Sequence, residues 1–89
     1  PENSIHLSAF PNPFSTQINI RFKATITGHA RVELFDVRGR KINSVFEGNM
    51  TAGEQHEKEL DSSMLPDGVY ILQFVNGKYS ARLMLIGTQ

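Results

Sequence analysis

The chain has 89 residues, of which 39% are hydrophobic and 20% charged, with nine basic side chains against nine acidic ones. That length supports one domain with a single two-layer core, the composition excludes a disordered tail, and the charge balance leaves no net field to draw the chain to nucleic acid or an anionic membrane. No apolar run approaches the roughly 20 residues of a membrane helix, so no membrane insertion is expected, and without cysteine there is no disulfide framework, thiolate metal site or thiol nucleophile.

The opening Pro1-Glu2-Asn3-Ser4 has neither a basic n-region nor an apolar h-region, so no signal peptide is expected there. It also lacks an initiator Met, and a fragment of a longer protein is the expectation. Residues 1–46 carry six basic side chains against three acidic ones, and residues 47–89 carry three against six. Neither half contains a block of one sign, so the charges read as a mixed solvated surface.

Strand follows strand, with turn residues between. Ile5, Leu7 and Ala9 alternate with polar neighbours until Pro11-Asn12-Pro13 stops the run. Ile18, Ile20 and Phe22 alternate with Asn19, Arg21 and Lys23, the pattern of a half-buried strand. After Gly28, Ala30, Val32 and Leu34 share one face, with Phe35 and Val37 offering apolar surface on the other. Asp36-Val37-Arg38-Gly39 reads as a turn, with Gly39 supplying positive φ. Ile42, Val45 and Phe46 form the next apolar set, and its interruption at Asn43-Ser44 predicts a bulge.

Gly48-Asn49 and Ala52-Gly53 predict a bracketed loop. The polar stretch 54–60 predicts an edge strand, and residues 61–68 a corner built by Asp and Ser side chains with Pro66 and Gly68. No segment carries a sustained 3.6-residue apolar period, so no substantial helix is expected.

Residues 69–75 and 78–86 flank Asn76-Gly77, the strongest short hairpin signal. A two-residue turn there pairs Val75 with Lys78 and Tyr70 with Leu83, and sets Arg82 opposite Ile71. Tyr70, Leu72, Phe74, Tyr79, Ala81, Leu83 and Leu85 then share one face. Val69, Ile71, Gln73, Val75, Lys78, Ser80, Arg82, Met84 and Ile86 share the other. Both faces are apolar near the open end, which predicts a central pair covered on each side. Gly87-Thr88-Gln89 trails past the last apolar position and is expected to add little to the core. About seven short antiparallel strands in two sheets make an all-β, immunoglobulin-like β-sandwich, with residues 1–9 either linker or first strand.

Chemistry is poorly represented. His6, His29 and His56 lie in different predicted elements without ligand spacing. Glu57, Glu59 and Asp61 share one strand face, which is the closest approach to a site for a hard cation. Carboxylates spread along an extended strand with Lys58 among them read instead as solvated edge charges that block aggregation. There is no G-x-S-x-G elbow and no phosphate loop. Most aromatics fall on predicted core faces, and with no Trp a sugar-stacking platform is the weaker reading. No catalytic, cofactor-binding or metal residue is therefore assigned, and no cofactor is expected.

Five motifs in order carry a resemblance. They are Pro11-Asn12-Pro13-Phe14, then Leu34-Phe35-Asp36-Val37-Arg38-Gly39-Arg40, Thr51-Ala52-Gly53, Leu65-Pro66-Asp67-Gly68-Val69-Tyr70, and the basic-then-apolar Arg82-Leu83-Met84-Leu85-Ile86. From about Phe10 to Ile86 the chain resembles the type A C-terminal sorting domains of the type IX (Por) secretion system of Bacteroidetes. It departs from them in having Phe35 where Tyr is common, a more polar stretch at 54–60, and three residues after the apolar strand.

The resemblance implies a non-catalytic secretion signal. Such a domain follows an N-terminal cargo domain, crosses the periplasm, is recognised by the type IX outer-membrane translocon, and is usually removed by a sortase-like peptidase. The cargo is then released or attached at the cell surface. The candidate recognised residues are Arg82, Leu83, Met84, Leu85 and Ile86, read by shape and strand edge. Pro11, Asn12, Pro13, Phe14, Asp36, Gly39, Arg40, Gly68 and Tyr70 are expected to hold the fold, Tyr70 as a tyrosine corner. The rival reading is an immunoglobulin-like accessory, adhesive or carbohydrate-binding module of a secreted protein.

Overall fold

A computed structural model describes residues 6–88. Its strands are β1 His6–Phe10, β2 Gln17–Lys23, β3 Gly28–Asp36, β4 Lys41–Met50, β5 Gln55–Asp61, β6 Gly68–Asn76 and β7 Tyr79–Gly87, with no helix among the described residues. All pairings between strands are antiparallel, in two sheets ordered β1-β2-β5 and β4-β3-β6-β7. This is the sandwich of immunoglobulin type that the strand spacing predicts. Ile5, expected in the first strand, lies outside the described residues.

The period of two decides what is inside. Ile18, Ile20 and Phe22 of β2 face Ala30, Val32 and Leu34 of β3 and Tyr70, Leu72 and Phe74 of β6, all essentially removed from solvent. Phe22 is the hub, with ring centroids 5.2 Å from Phe74 and 5.4 Å from Phe46. Burying each such side chain contributes about 1.5–3 kcal/mol. At one end of the sandwich, the connections that change sheet are laced together. Ala24 N–H donates to Glu54 O at 2.9 Å, and Gly53 N–H to Ala24 O at 2.9 Å. At the other end Ser62, fully buried, donates from N–H to Thr16 O and from Oγ to Ser15 O.

The bulge expected at Asn43-Ser44 is present as two register shifts on either side of that pair, against Val32/Glu33 and Leu34/Phe35. The polar stretch forms β5, an edge strand paired only to β2. Gly48 and Asn49, however, are not loop. They pair with Ala30 and His29 at the end of β4, and the loop begins at Thr51. Turn-forming residues were overridden there by a neighbouring strand that offered a full hydrogen-bond ladder.

The β6–β7 hairpin differs from expectation in three ways. Its two-residue turn is Gly77-Lys78, closed by Asn76 opposite Tyr79, so β7 is displaced by two residues and Arg82 faces Gln73 rather than Ile71. Gly77 has φ 63° at the first central position while no non-glycine residue among those described has positive φ, the pattern of a type II′ turn. Asn76 is held in the strand by its buried side chain. Its Oδ1 accepts from Thr25 N–H at 2.8 Å and Ile26 N–H at 3.0 Å, and its Nδ2 donates to His29 O at 3.3 Å. A shift of two keeps every side chain on its expected face.

Second, the hairpin is not central: β6 is internal, but β7 is the edge of the larger sheet and its outer face is uncovered. Third, Gly87 and Thr88 are structural. Gly87 is buried opposite Gly68 and lies against the tip of the Phe14 ring, where a Cβ would stand 2.7 Å from Phe14 Cζ. Thr88 N–H donates to Phe14 O at 2.8 Å. Gln89 lies outside the described residues.

Candidate functional site

The five residues expected to be recognised divide by strand parity. Leu85 is buried and Leu83 packs partly buried against the core, whereas Arg82, Met84 and Ile86 point outward. On that outer face the register lines up Val69 with Ile86, then Phe35, Ile71 and Met84, then Glu33, Gln73 and Arg82. Exposure is 69% for Val37, 61% for Met84, 43% for Ile86 and 37% for Val69. Four of the six large exposed apolar side chains among the described residues therefore gather at one end of one sheet face. A shallow groove of about 320 Å³ runs beside them between Phe35, Val37, Ile71 and Arg82. This cluster is the candidate interaction surface of the domain, since exposed apolar side chains are ordinarily scattered singly. The sequence placed these residues on one face but gave no sign that the face would be left open.

The edge of β7 is half closed by the chain itself. Asn12 acts as a strand mimic, its Nδ2 donating to Met84 O at 3.1 Å while its Oδ1 accepts from Ile86 N–H at 3.0 Å. Phe14 continues the contact as an isolated parallel bridge to Gly87, donating from N–H to Ile86 O at 2.8 Å. Pro11 and Pro13 flank Asn12 on the exposed side. Residues 12–14 thus form a strap along the last third of β7, and among the described residues no other segment hydrogen-bonds to its outer edge from Ser80 to the Met84 N–H.

Two turns frame the apolar end. Asp36 Oδ1 accepts from Arg38 N–H at 2.9 Å and Arg40 N–H at 3.0 Å, and Arg40 Nε donates to Oδ2 at 3.3 Å. Gly39, at φ 85°, donates its N–H to Asp36 O. One carboxylate thereby organises the D-x-x-G-R segment, and Asp36, Gly39 and Arg40 have structural contacts. At the other turn Tyr70 Oη donates to Pro66 O at 2.6 Å, the geometry of a tyrosine corner. Gly68 enters β6 at φ 155°. Replacing Tyr70 by phenylalanine should cost about 1 kcal/mol, the net worth of one such hydrogen bond, read as a lower urea midpoint at unchanged slope.

The family model described as a secretion system C-terminal sorting domain matches residues 8–86. The chain belongs to that family. A sorting domain of this kind is a C-terminal secretion signal, and the protein that carries it is a secreted or cell-surface protein. Among solved structures, the dimeric latent PorU from Porphyromonas gingivalis contains a similar fold, with a TM-score of 0.70 and 20% sequence identity. The likeness covers 94% of this chain and 9% of that one. No curated protein sequence matches the chain.

Among the remaining candidates in the sorting domain, Glu57, Asp61, His29 and His56 have structural partners. Glu57 forms an ion pair with Arg21 at 2.7 Å, and Asp61 caps Ser63, so the carboxylates of β5 do not converge. No group of three or more His, Asp or Glu side chains among the described residues is placed to hold a metal ion. His29 lies 3.2 Å from Glu47, and His56 packs between Phe22 and Phe46 while contacting Glu54.

Three carboxyls of the sorting domain are held below their ordinary values by backbone N–H donors. These are Asp36 by Arg40, Glu54 by Thr51 with help from His56, and Asp61 by Ser63. A depressed carboxyl contributes stability that is complete above its unfolded value and lost as pH falls through its folded one. The thermal midpoint should therefore hold as pH falls toward the ordinary values of 3.8 and 4.5 and decline below them. Asp36→Asn should make that acid decline shallower, as followed by thermal scans across the acid range.

Proposed function

We propose that residues 1–89 form a single C-terminal sorting domain that follows an N-terminal cargo domain and takes it from the periplasm through the type IX outer-membrane translocon. Arg82, Met84 and Ile86 are the residues the translocon reads, while Leu83 and Leu85 serve recognition by holding β7 in place. After passage a sortase-like peptidase removes the domain, and the cargo is released or attached at the surface. The observation that supports this reading is the open apolar end of the β6–β7 face, which coincides with the apolar strand shared with the family. A signal of this type needs shape and surface, and no catalytic group of its own.

The test fuses the domain to a periplasmic reporter in a strain with the translocon. The parent fusion should reach the medium or cell surface. Met84→Lys should reduce export strongly, because it buries a charge in any apolar contact. It should change the thermal midpoint little, because Met84 is solvent-exposed and surface substitutions are usually within about 0.5 kcal/mol. A parent fusion that is folded yet retained in the periplasm would favour the accessory, adhesive or carbohydrate-binding module instead.

A further inference from the structure

Resting on the reading that the translocon recognises the β6–β7 hairpin, we infer that its recognition element is an extended segment that adds to β7 as a fifth strand at residues 80–84. That segment carries an acidic side chain opposite Arg82 and an apolar one opposite Met84. The backbone geometry sets the length of the contact. In a hairpin closed by Asn76 and Tyr79, the odd-numbered residues of β7 exchange hydrogen bonds with β6 and the even-numbered ones turn their N–H and C=O groups outward. The strap confirms this parity, since Asn12 and Phe14 bond to residues 84, 86 and 88. Because the strap occupies the edge from Met84 O onward, the groups open to another chain are those of Ser80 and Arg82 and the Met84 N–H. Open edge groups of this kind template strand addition.

The side chains beside this edge set the chemistry. Ser80, Arg82 and Met84 are all exposed. Arg82 makes no ion pair among the described residues, as is also true of Lys23, Arg38, Lys58 and Lys78, but it alone of these lies on the exposed outer row of β7 beside the open edge. Cross-strand neighbours on one face favour opposite charges and matched apolar groups. An added strand would therefore present acidic and apolar side chains two residues apart on the outer face, continuing the rows Gln73–Arg82 and Ile71–Met84. A second copy of this chain supplies no acidic complement, because antiparallel self-pairing centred on Arg82, Ala81 or Ser80 sets Arg82 against Arg82, Ser80 or Lys78 respectively.

The experiment uses the reporter fusion with four variants. Ser80→Pro removes an outward donor without breaking the β6–β7 ladder, which edge positions tolerate. Ser80→Ala is its side-chain control. Exported reporter should fall roughly tenfold or more for Ser80→Pro, the equivalent of about 1.4 kcal/mol, and stay at the parent level for Ser80→Ala. Met84→Pro, whose N–H also faces outward, replaces Ser80→Pro if that variant does not fold. Arg82→Lys should keep export and Arg82→Glu should lose it, with thermal midpoints close to the parent. Parent-level export by the folded proline variant overturns strand addition, and parent-level export by Arg82→Glu overturns the acidic complement. A concentration-dependent dimer that the proline variant abolishes while export persists would assign the edge to a second copy. Failure of the unmodified fusion to be exported would instead count against the secretion reading itself.

Discussion

Replacing Phe14 by alanine is expected to destabilise the domain by about 3–5 kcal/mol, the range for emptying a buried aromatic site. Phe14 is fully buried, its ring is tilted 5.7 Å from that of Tyr70, and Gly87 lies against its edge. The residues around it cannot easily close the gap. Tyr70 is held by its bond to Pro66, and Gly87 has no side chain to move inward. The same substitution loosens the strap, because the ring is what anchors the Phe14 bridge to β7. Against a total stability of about 5–15 kcal/mol for a domain, the variant should approach the threshold of folding. Its thermal midpoint should drop by about 4–8 °C for each kcal/mol. Urea titration with an unchanged slope is the check, and a loss below about 1 kcal/mol would mean that the strap is held by its backbone bonds alone.

Asn76→Leu should be comparably damaging although the two side chains are similar in size. The substitution leaves two backbone N–H groups, of Thr25 and Ile26, without their acceptor and the carbonyl of His29 without one donor. Each stranded group costs about 1–3 kcal/mol to the extent that water cannot reach it, so a loss of about 2–5 kcal/mol is expected. Asn76→Asp separates the parts through pH, because both N–H groups keep their acceptor but the buried carboxylate faces the carbonyl of His29. It should be destabilised at neutral pH and recover relative to Asn76→Leu as pH falls and the protonated acid donates to that carbonyl. A gap between the two variants that does not change with pH would show that volume, rather than the bonds, keeps Asn76 in place. Amide exchange at Thr25 and Ile26 reports the bonds directly and should accelerate in Asn76→Leu alone.

Family membership and the seven-strand sandwich were both legible in the residues, and for related reasons. The motif turns are local: Asp36 bonds to Arg38 and Arg40, and Tyr70 to Pro66, all within four residues. A short stretch of sequence contains both partners in each case. The proposed recognition surface was legible only in part. Residues 82–86 could be named, but separating Arg82, Met84 and Ile86 from Leu83 and Leu85 as the exposed set required knowing that no layer covers β7 from outside.

By itself the sequence determined which side of β2, β3, β6 and β7 carries the core residues, because a period of two has only two phases and burial of the apolar phase is worth far more than any alternative. That is why the displaced hairpin register left every β6 and β7 side chain on its expected face. Tertiary structure decided the register itself, the edge position of β7, the strand conformation of Gly48 and Asn49, and the role of Gly87. Each of these depends on partners far along the chain. Asn76 is held by groups 47 to 51 residues away, and Asn12 and Phe14 close an edge more than 70 residues away. Local propensities of a few tenths of a kcal/mol cannot foresee such contacts, and satisfying buried backbone groups at about 1–3 kcal/mol each outweighs them.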